Sequence, residues 1–433
     1  MSRLDRLGLA PARSAAEDLL DRAARYETLR LVFPDLHGVL RGKAVPAARL
    51  RDVLAGGIGA PATLLLKDTS GRTAFPVWDA PGPDNPSPLR GAGDLLMVPD
   101  PDGLVPCRDG EAWLFCSTHR PDGTTLDFAP TAILDRALAA LETEGLSLTI
   151  GLELEFHVFA RGPDGLAALH PGGQLLHDAT YGANAAVLDR IRAACAHAGL
   201  PLTSLEVEMG ASQFEATFAP APARAAARHA AVFRALLRDA LPGHHVTFMC
   251  RPPAPATMAS GWHLHQSVAG IDMQGGWLGG LLGHAASACL LTNPTVNAYR
   301  RFGPGTLAPD RIAWGRDDRG AMVRAVDGRL ENRVCEAGAN PWLAIAAQAV
   351  AGLDGHRRAL APPPAAEAAY RADAPRLPRS LGEALDAFRA DPLWAEAIGV
   401  EAVRVLDAVA EAAWTCFLST PGDWDAREYL DLL

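Results

Sequence analysis

Two common nucleotide-binding devices are missing from this 433-residue chain. It has no GxxxxGK[ST] loop and no GxGxxG ahead of a helix, so neither a P-loop nor a dinucleotide-binding βαβ unit is indicated. No stretch approaches 18 uninterrupted apolar residues, which argues against a membrane-spanning helix. The N-terminal run MSRLDRLGLAPARSAAEDLL shows no apolar core followed by a small-residue cleavage site, so no secretory leader is expected. The seven cysteines, at 107, 116, 195, 250, 289, 335 and 416, form no CxxC pair and are odd in number. That fits a reducing compartment better than a disulfide framework. Basic charge is short as well: 40 Lys and Arg against 50 Asp and Glu give −10, which disfavours neutralising nucleic-acid phosphates as the main task. A soluble, cytoplasmic protein with no nucleic-acid or membrane partner is expected.

What remains is an ordinary globular composition, 49% hydrophobic and 21% charged, long enough for two or three domains. No internal repeat or low-complexity tract stands out. Residues 14–26 read as a helix, and TLRLVFPDLHGVLRGKAVP from Thr28 reads as a hairpin turning near His37 and Gly38. ATLLLKDTSG (62–71) reads as a second short strand. The segment 76–106, rich in Pro, Gly and Asp, reads as an irregular surface excursion. A small α/β domain is expected to end near residue 125. The helical pattern at 131–146, preceded by Pro130, then opens a larger unit in which strands and helices alternate to about residue 360. The tail from about 378 reads as helical.

Four runs in the larger unit alternate apolar and polar residues with a period of two, the signature of a strand with two unlike faces. SLTIGLELEFHVF turns Leu148, Ile150, Leu152, Leu154, Phe156 and Val158 one way and Thr149, Glu153, Glu155 and His157 the other. Residues two apart on a strand lie roughly 6.6 Å apart, a spacing suited to two neighbouring divalent cations. TSLEVEMGASQFEATF carries Glu206 and Glu208, then Gln213, Glu215 and Thr217. SGWHLHQSV aligns His263, His265 and Ser267, and GRLENRVCE aligns Arg329, Glu331 and Arg333. Any one such face is ordinarily the wet side of an antiparallel sheet. If the four line one cavity, however, Glu153, Glu155, Glu208, Glu215 and Glu331 meet beside His263. They would then repel one another unless metal ions neutralised them. Mostly oxygen ligands favour Mg²⁺ or Mn²⁺ over zinc. Arg329 and Arg333 would share that cavity, with Arg301, Arg316, Arg319 and Arg324 in the stretch before it. Divalent cations beside arginines suit phosphoryl transfer, with ATP lying directly on the sheet.

These separated motifs resemble, in order, those of the glutamine synthetase family. GLELEF is similar to its GxExEF strand, EMGASQFE to its E-x4-Q-x-E segment and SGWHLH to its SGxHxH motif. RFGPG, DDRGAMVR, RLENR and GANPWLAIAAQAVAGLDG complete the series. FPDLHGVLRGK and DWDAREYLDLL look closest to the branch that joins glutamate to polyamines and other amines. The resemblance implies an α+β fold, with an N-terminal β-grasp domain (1–125) followed by a catalytic glutamine synthetase-type α/β domain (126–433) whose antiparallel sheet lines the active site. It implies one metal on Glu155, Glu208 and Glu215, a second on Glu153, His263 and Glu331, and two or three Mg²⁺ or Mn²⁺ ions in all. Arg301 and Arg333, with Gly261 and Leu307, would meet a glutamate-like acid and an amine. Arg319 and Arg324 would act on the phosphates, His265, Ser267 and Arg329 would lie beside ATP, and Asp68 matches the acidic loop near the amine. The implied assembly is a hexameric ring or a pair of rings (a dodecamer), with active sites between neighbours.

Two departures bear on the substrate. Leu307, in RFGPGTLAP, stands where ammonia-using members carry a Glu, and a Leu can neither attract an ammonium ion nor take its proton. Met258 stands where the family usually has an Asn that binds the amino acid. The sequence therefore points to an ATP-dependent ligase that makes a γ-glutamyl amide from an organic primary amine through an acyl phosphate. Ammonia-dependent glutamine synthesis and a non-catalytic ring remain the alternatives. His157 reads as a residue behind the ligands or at the surface, His244 and His245 as a loop and strand start, and the cysteines as structural.

Overall fold

The computed structural model describes residues 1–79, 89, 91–162, 165–302 and 306–430. Among these, strands form two sheets. The first contains β1 (Thr28–Pro34), β2 (Leu40–Pro46), β3 (Ile58–Pro61), β4 (Asp94–Arg108) and β5 (Glu111–His119), in the order β2-β1-β5-β4-β3. β1 and β2 are the expected hairpin, and β1 runs parallel to β5. The hairpin turn is built on buried Asp35. Its Oδ1 accepts the N–H groups of His37 and Val39 at 2.9 and 3.0 Å, and its Oδ2 accepts Arg41 Nε at 2.8 Å. Gly38 takes φ +74°, and a Cβ there would come within 3.0 Å of Pro341 Cδ, so glycine is required twice over.

Two expectations for this region fail. ATLLL is a 3₁₀ turn (Ala62–Leu66) that buries Ala62, Leu65 and Leu66. Its apolar residues are contiguous, so a short turn buries them as well as a strand would. The supposed excursion at 76–106 contains most of β4, in which Leu95, Leu96, Met97 and Val98 are buried against β5. Register shifts between Pro99 and Leu104 and between Pro106 and Arg108 accommodate the prolines that suggested a loop. Residues 80–88 and 90 of that segment lie outside the described residues.

The second sheet contains β6 (Leu148–Gly162), β7 (Gly165–Ala168), β8 (Leu202–Val207), β9 (Gln213–Pro222), β10 (His244–Thr247), β11 (Trp262–Val268), β12 (Trp314–Arg316), β13 (Val323–Val326) and β14 (Arg329–Asn332). Its order is β12-β13-β14-β11-β6-β9-β8, with β7 and β10 also paired to β6. Apart from the β12–β13 pair, every pairing is antiparallel. The alternation in β6 holds: Leu148, Ile150, Leu152, Leu154, Phe156 and Val158 are all buried. Phe156 packs edge-on against Phe233 of the helix Ala223–Ala240. The apolar core is continuous beneath both sheets, with Leu29 and Trp113 in the same cluster as Ile150 and Leu264. The tail is helical as expected (Leu381–Ala390, Leu393–Ile398, Val400–Leu418 and Asp423–Tyr429), and residues 431–433 of DWDAREYLDLL lie outside the described residues. No described helix is long and apolar enough to cross a membrane.

Behind β11 and β14 lies the buried helix Pro341–Arg357, whose Asn340 cap accepts the N–H groups of Trp342 and Leu343. From this helix the Gln348 Oε1 accepts Gln266 Nε2 at 3.0 Å and Asn332 Nδ2 at 2.9 Å, while Gln266 Oε1 accepts Trp277 Nε1 at 2.8 Å. One side-chain carbonyl thus ties two neighbouring strands to the helix. Replacing Gln348 by Leu strands two buried amides, at about 1–3 kcal/mol each. We expect Gln348→Leu to lower unfolding free energy by roughly 2–4 kcal/mol in reversible urea titrations, and a loss below about 0.5 kcal/mol would contradict the network.

Candidate active site

Sheet register, rather than sequence proximity, assembles the polar cluster. Glu155 of β6 lies opposite Glu215 of β9, and Glu215 lies opposite Glu206 of β8. Two residues along β6, Glu153 is flanked by His263 of β11 and Thr217 of β9. Glu331 of β14 is flanked by His265 of β11 and Arg324 of β13. Opposed residues share a face of the sheet, so the four alternating runs do converge. Glu153, Glu155, Glu206, Glu208 and Glu215, with His263, Met258, Arg301, Leu307, Arg319, Arg324, Arg333 and Tyr370, border a cavity of about 480 Å³. Glu331 is not among its lining residues and meets the cluster through His263 and Arg324.

His263 lies at the centre of the cluster. Its Nδ1 is 3.1 Å from Glu153, 3.6 Å from Glu331 and 4.0 Å from Glu215, and its Nε2 is 3.7 Å from Glu155. His265 Nε2 lies 2.7 Å from Glu153 Oε1. Among the described residues, two trios have donor atoms mutually within 4.8 Å: Glu153, Glu215 and His263, and Glu153, His265 and Glu331; neither is one of the two sets that the resemblance implies. Glu331 is buried and paired with Arg333 and with Arg324 Nη1 at 3.0 Å, and Arg324 also pairs with Asp317. Arg329 Nε lies 3.3 Å from His265 Nδ1. Ser267 sits two positions further along β11, opposite Thr149.

Charge is unevenly compensated. Burial and then the neighbouring carboxylates, Glu155 foremost, push Glu215 up to about 10 and Glu208 up to about 7. Burial also raises Glu153, but hydrogen bonds and charge from His263 and His265 outweigh it and hold that acid well below the usual range. Glu331 is lowered similarly: burial raises it, and His263 and Arg333 more than compensate. One half of the cluster is therefore paired with two histidines and with Arg324 and Arg333, whereas Glu155, Glu208 and Glu215 form an acid-rich half. Buried oxygen donors short of positive charge fit a hard divalent cation.

Glu155 is positioned from behind. Its Oε2 accepts Gly261 N–H at 2.9 Å and Gln213 Nε2 at 3.0 Å, and Gln213 Nε2 also reaches Ser260 Oγ at 3.2 Å. Ser260 Oγ in turn lies 3.2 Å from Nδ1 of His157. His157 is fully buried, which excludes the surface alternative, and burial followed by the charge of His170 pushes it down to about 3, so it stays neutral. Buried Arg301 donates Nη1 to the carbonyls of Val334 and Cys335 at 2.8 and 3.0 Å. Gly261 lies so close that a Cβ there would be 2.1 Å from Arg301 Nη2.

Asp68 is not brought to this cavity within the chain. It borders another cavity, of about 460 Å³, with Leu343, Val409 and Phe417. Its Oδ1 accepts the N–H groups of Ser70 and Arg72, both at 2.9 Å, and its Oδ2 pairs with Arg72 Nε at 2.9 Å. Burial raises the Asp68 carboxyl, and the hydrogen bonds from Arg72 outweigh that and lower it. Residues 303–305 of RFGPG lie outside the described residues. Sequence reasoning left out Glu206, whose place beside Glu208 in one alternating run was a usable signal. It also missed Tyr370, in a three-residue 3₁₀ turn (Ala369–Arg371), and Leu175 and Leu176, in a loop turn; these stretches are too short to carry a periodic signal.

Because Glu215 and Glu208 hold protons near neutrality, a cation binding there must displace them. Mn²⁺ affinity should rise from pH 6 to pH 8, through the titration of Glu208. Calorimetry in buffers of different ionisation enthalpy should show release of about one proton or more per site. Affinity independent of pH, with no proton release, would contradict this charge distribution.

Residues 127–429 match the family described as glutamine synthetase, catalytic domain. The chain is 31% identical to gamma-glutamylanilide synthase of Acinetobacter sp., covering 97% of this chain and 96% of that protein. It is also 31% identical to a gamma-glutamylethanolamide synthetase of Streptomyces coelicolor, covering 94% and 93%. A solved GmaS/ADP complex superposes with a TM-score of 0.82 at 26% identity, covering 95% of this chain and 99% of that one.

Proposed function

This chain belongs to the glutamine synthetase family and is an ATP-dependent carbon–nitrogen ligase, and from that premise we propose that it joins the side-chain carboxylate of glutamate, or a close analogue, to an organic primary amine. The observation that carries the reading is one cavity in which an acid-rich sheet face, a set of arginines and the apolar Leu307 meet. The names of the two relatives, an anilide and an ethanolamide synthetase, describe γ-glutamyl amides of organic amines.

In this reading Glu155, Glu208 and Glu215 would hold one divalent cation and Glu153, His263 and Glu331 a second, as Mg²⁺ or Mn²⁺, two or three ions per active site in all. When bound, the cations neutralise the nucleotide phosphates and the charge that develops on the transferred phosphoryl group. The chain's own side chains do the rest. Gln213 and Gly261 fix the Glu155 carboxylate, and His265 orients Glu153 through its 2.7 Å contact. Arg319 and Arg324 attract the phosphates, while Arg301 and Arg333 attract the acid's carboxylates. His265, Ser267 and Arg329 lie along the ATP side of the sheet. Glutamate's side-chain carboxylate accepts the phosphoryl group, and the amine then displaces phosphate from the acyl phosphate. The reading divides the chain at residue 125 into the β-grasp-like and catalytic units and assembles it as a hexameric or dodecameric ring.

Phosphate release with ATP, Mg²⁺ or Mn²⁺ and glutamate tests this against a panel of amines. An organic amine should stimulate turnover at least about tenfold more than ammonium at equal concentration, and ammonium as the best acceptor would contradict the reading of Leu307. Glu331→Ala, checked for folding, should lose at least about 100-fold of ATP turnover. Near-normal turnover would sink the metal assignment.

A further inference from the structure

The cavity lining divides by origin. Its carboxylates all come from the sheet and its strand ends: Glu153 and Glu155 from β6, Glu206 and Glu208 from β8 and the turn after it, and Glu215 from β9. The segments outside the sheet contribute, among the described residues, no carboxylate: they bring apolar groups (Leu175, Leu176, Met258, Leu307 and Tyr370), the hydroxyls of Thr257 and Thr306, and the cations Arg251, Arg301 and Arg319. Leu307 is 57% exposed and Leu176 59%, so apolar surface faces the opening.

Tyr370 holds this covering together. Its hydroxyl donates to the Leu307 carbonyl, and burial raises its pKa, so it remains a donor and offers no base. The ring lies against Gly320, where a Cβ would come within 2.6 Å of Tyr370 Cε2. The turn before Gly320 carries Arg319, and Asp318 in that turn accepts the N–H groups of Gly320 and Ala369 at 2.8 and 3.1 Å. One aromatic side chain therefore fixes both the Leu307 segment and the Arg319 turn. Asp68, the acid that the family resemblance would bring to the amine, has both carboxylate oxygens engaged by Arg72 and by backbone N–H groups.

Building on the ligase reading, we propose that the amine is an arylamine, uncharged at neutral pH, and that Leu307 and Tyr370 are the residues that select it. An alkylamine arrives as an ammonium ion and must lose a proton before its nitrogen can attack. An arylamine nitrogen shares its lone pair with the ring and is neutral on arrival. Its lone pair attacks the acyl-phosphate carbonyl carbon, and the C–N bond forms. The C–O bond to the phosphoryl group then breaks with its electron pair leaving on phosphate, and the displaced N–H proton goes to that phosphate. The ring is buried against Leu307 and Tyr370, where apolar and edge-to-face contacts are available.

The test compares aniline, benzylamine and butylamine as acceptors at neutral pH, since aniline and benzylamine share a ring and differ in charge. The wild-type enzyme should favour aniline over benzylamine in kcat/KM by at least about tenfold. Leu307→Glu should move that ratio toward benzylamine by at least about tenfold, and Tyr370→Ala should raise KM for aniline more than KM for ATP or glutamate. Equal or better use of benzylamine by the wild-type enzyme overturns the inference while leaving the ligase reading intact. So does an unmoved ratio in folded Leu307→Glu. Turnover with no amine at all would overturn the ligase reading itself, and this inference with it.

Discussion

Mutual repulsion among closely spaced carboxylates is the constraint on which the rest of this structure depends. Glu155, Glu215 and Glu206 stand side by side across three registered strands, with Glu208 just beyond. Burial in such company raises Glu215 to about 10. Isolated charges in that setting would neutralise or move apart. Here they cannot move apart, because β6, β8 and β9 are locked in register by their ladders and by the apolar residues beneath them. A sheet that holds acids this close leaves them to keep protons or to take up a cation in their place.

The two sides of the sheet divide the work of holding that arrangement. Beneath it, Gln348 ties β11 and β14 to one helix, so His263, His265 and Glu331 keep their places relative to one another. Above it, Gln213, Ser260 and His157 form a chain that ends on the Glu155 carboxylate. His157 stays neutral through burial, which suits a residue that positions a carboxylate without adding charge beside it. The irregular segments lie outside this rigid frame, and they set the chemistry of the opening through Leu307 and Tyr370. Chemistry on the sheet and selectivity on the loops is the usual division in enzymes of this kind.

Much of the candidate site's floor was legible in the sequence because a strand writes its two faces into every second residue. GLELEF, SGWHLH and RLENR each declare which side chains point together, and only their register had to come from the structure. Where the local signal was ambiguous, the reading failed. ATLLL is apolar without alternation and became a turn, while prolines concealed β4 because bulges absorbed them. Tyr370 was invisible for another reason: it meets Leu307 across more than 60 residues, through a segment with no periodicity. Asp68 was read from its motif alone, and nothing in that motif announces that Arg72, four residues on, takes its carboxylate.

The central claim is that the acid-rich half of the sheet is a divalent-cation site. Anomalous diffraction from crystals grown with Mn²⁺ and an ATP analogue tests it most directly. A manganese peak is expected in inner-sphere contact with carboxylate oxygens of Glu155, Glu208 and Glu215. Nucleotide bound with no anomalous peak between those three residues would contradict it.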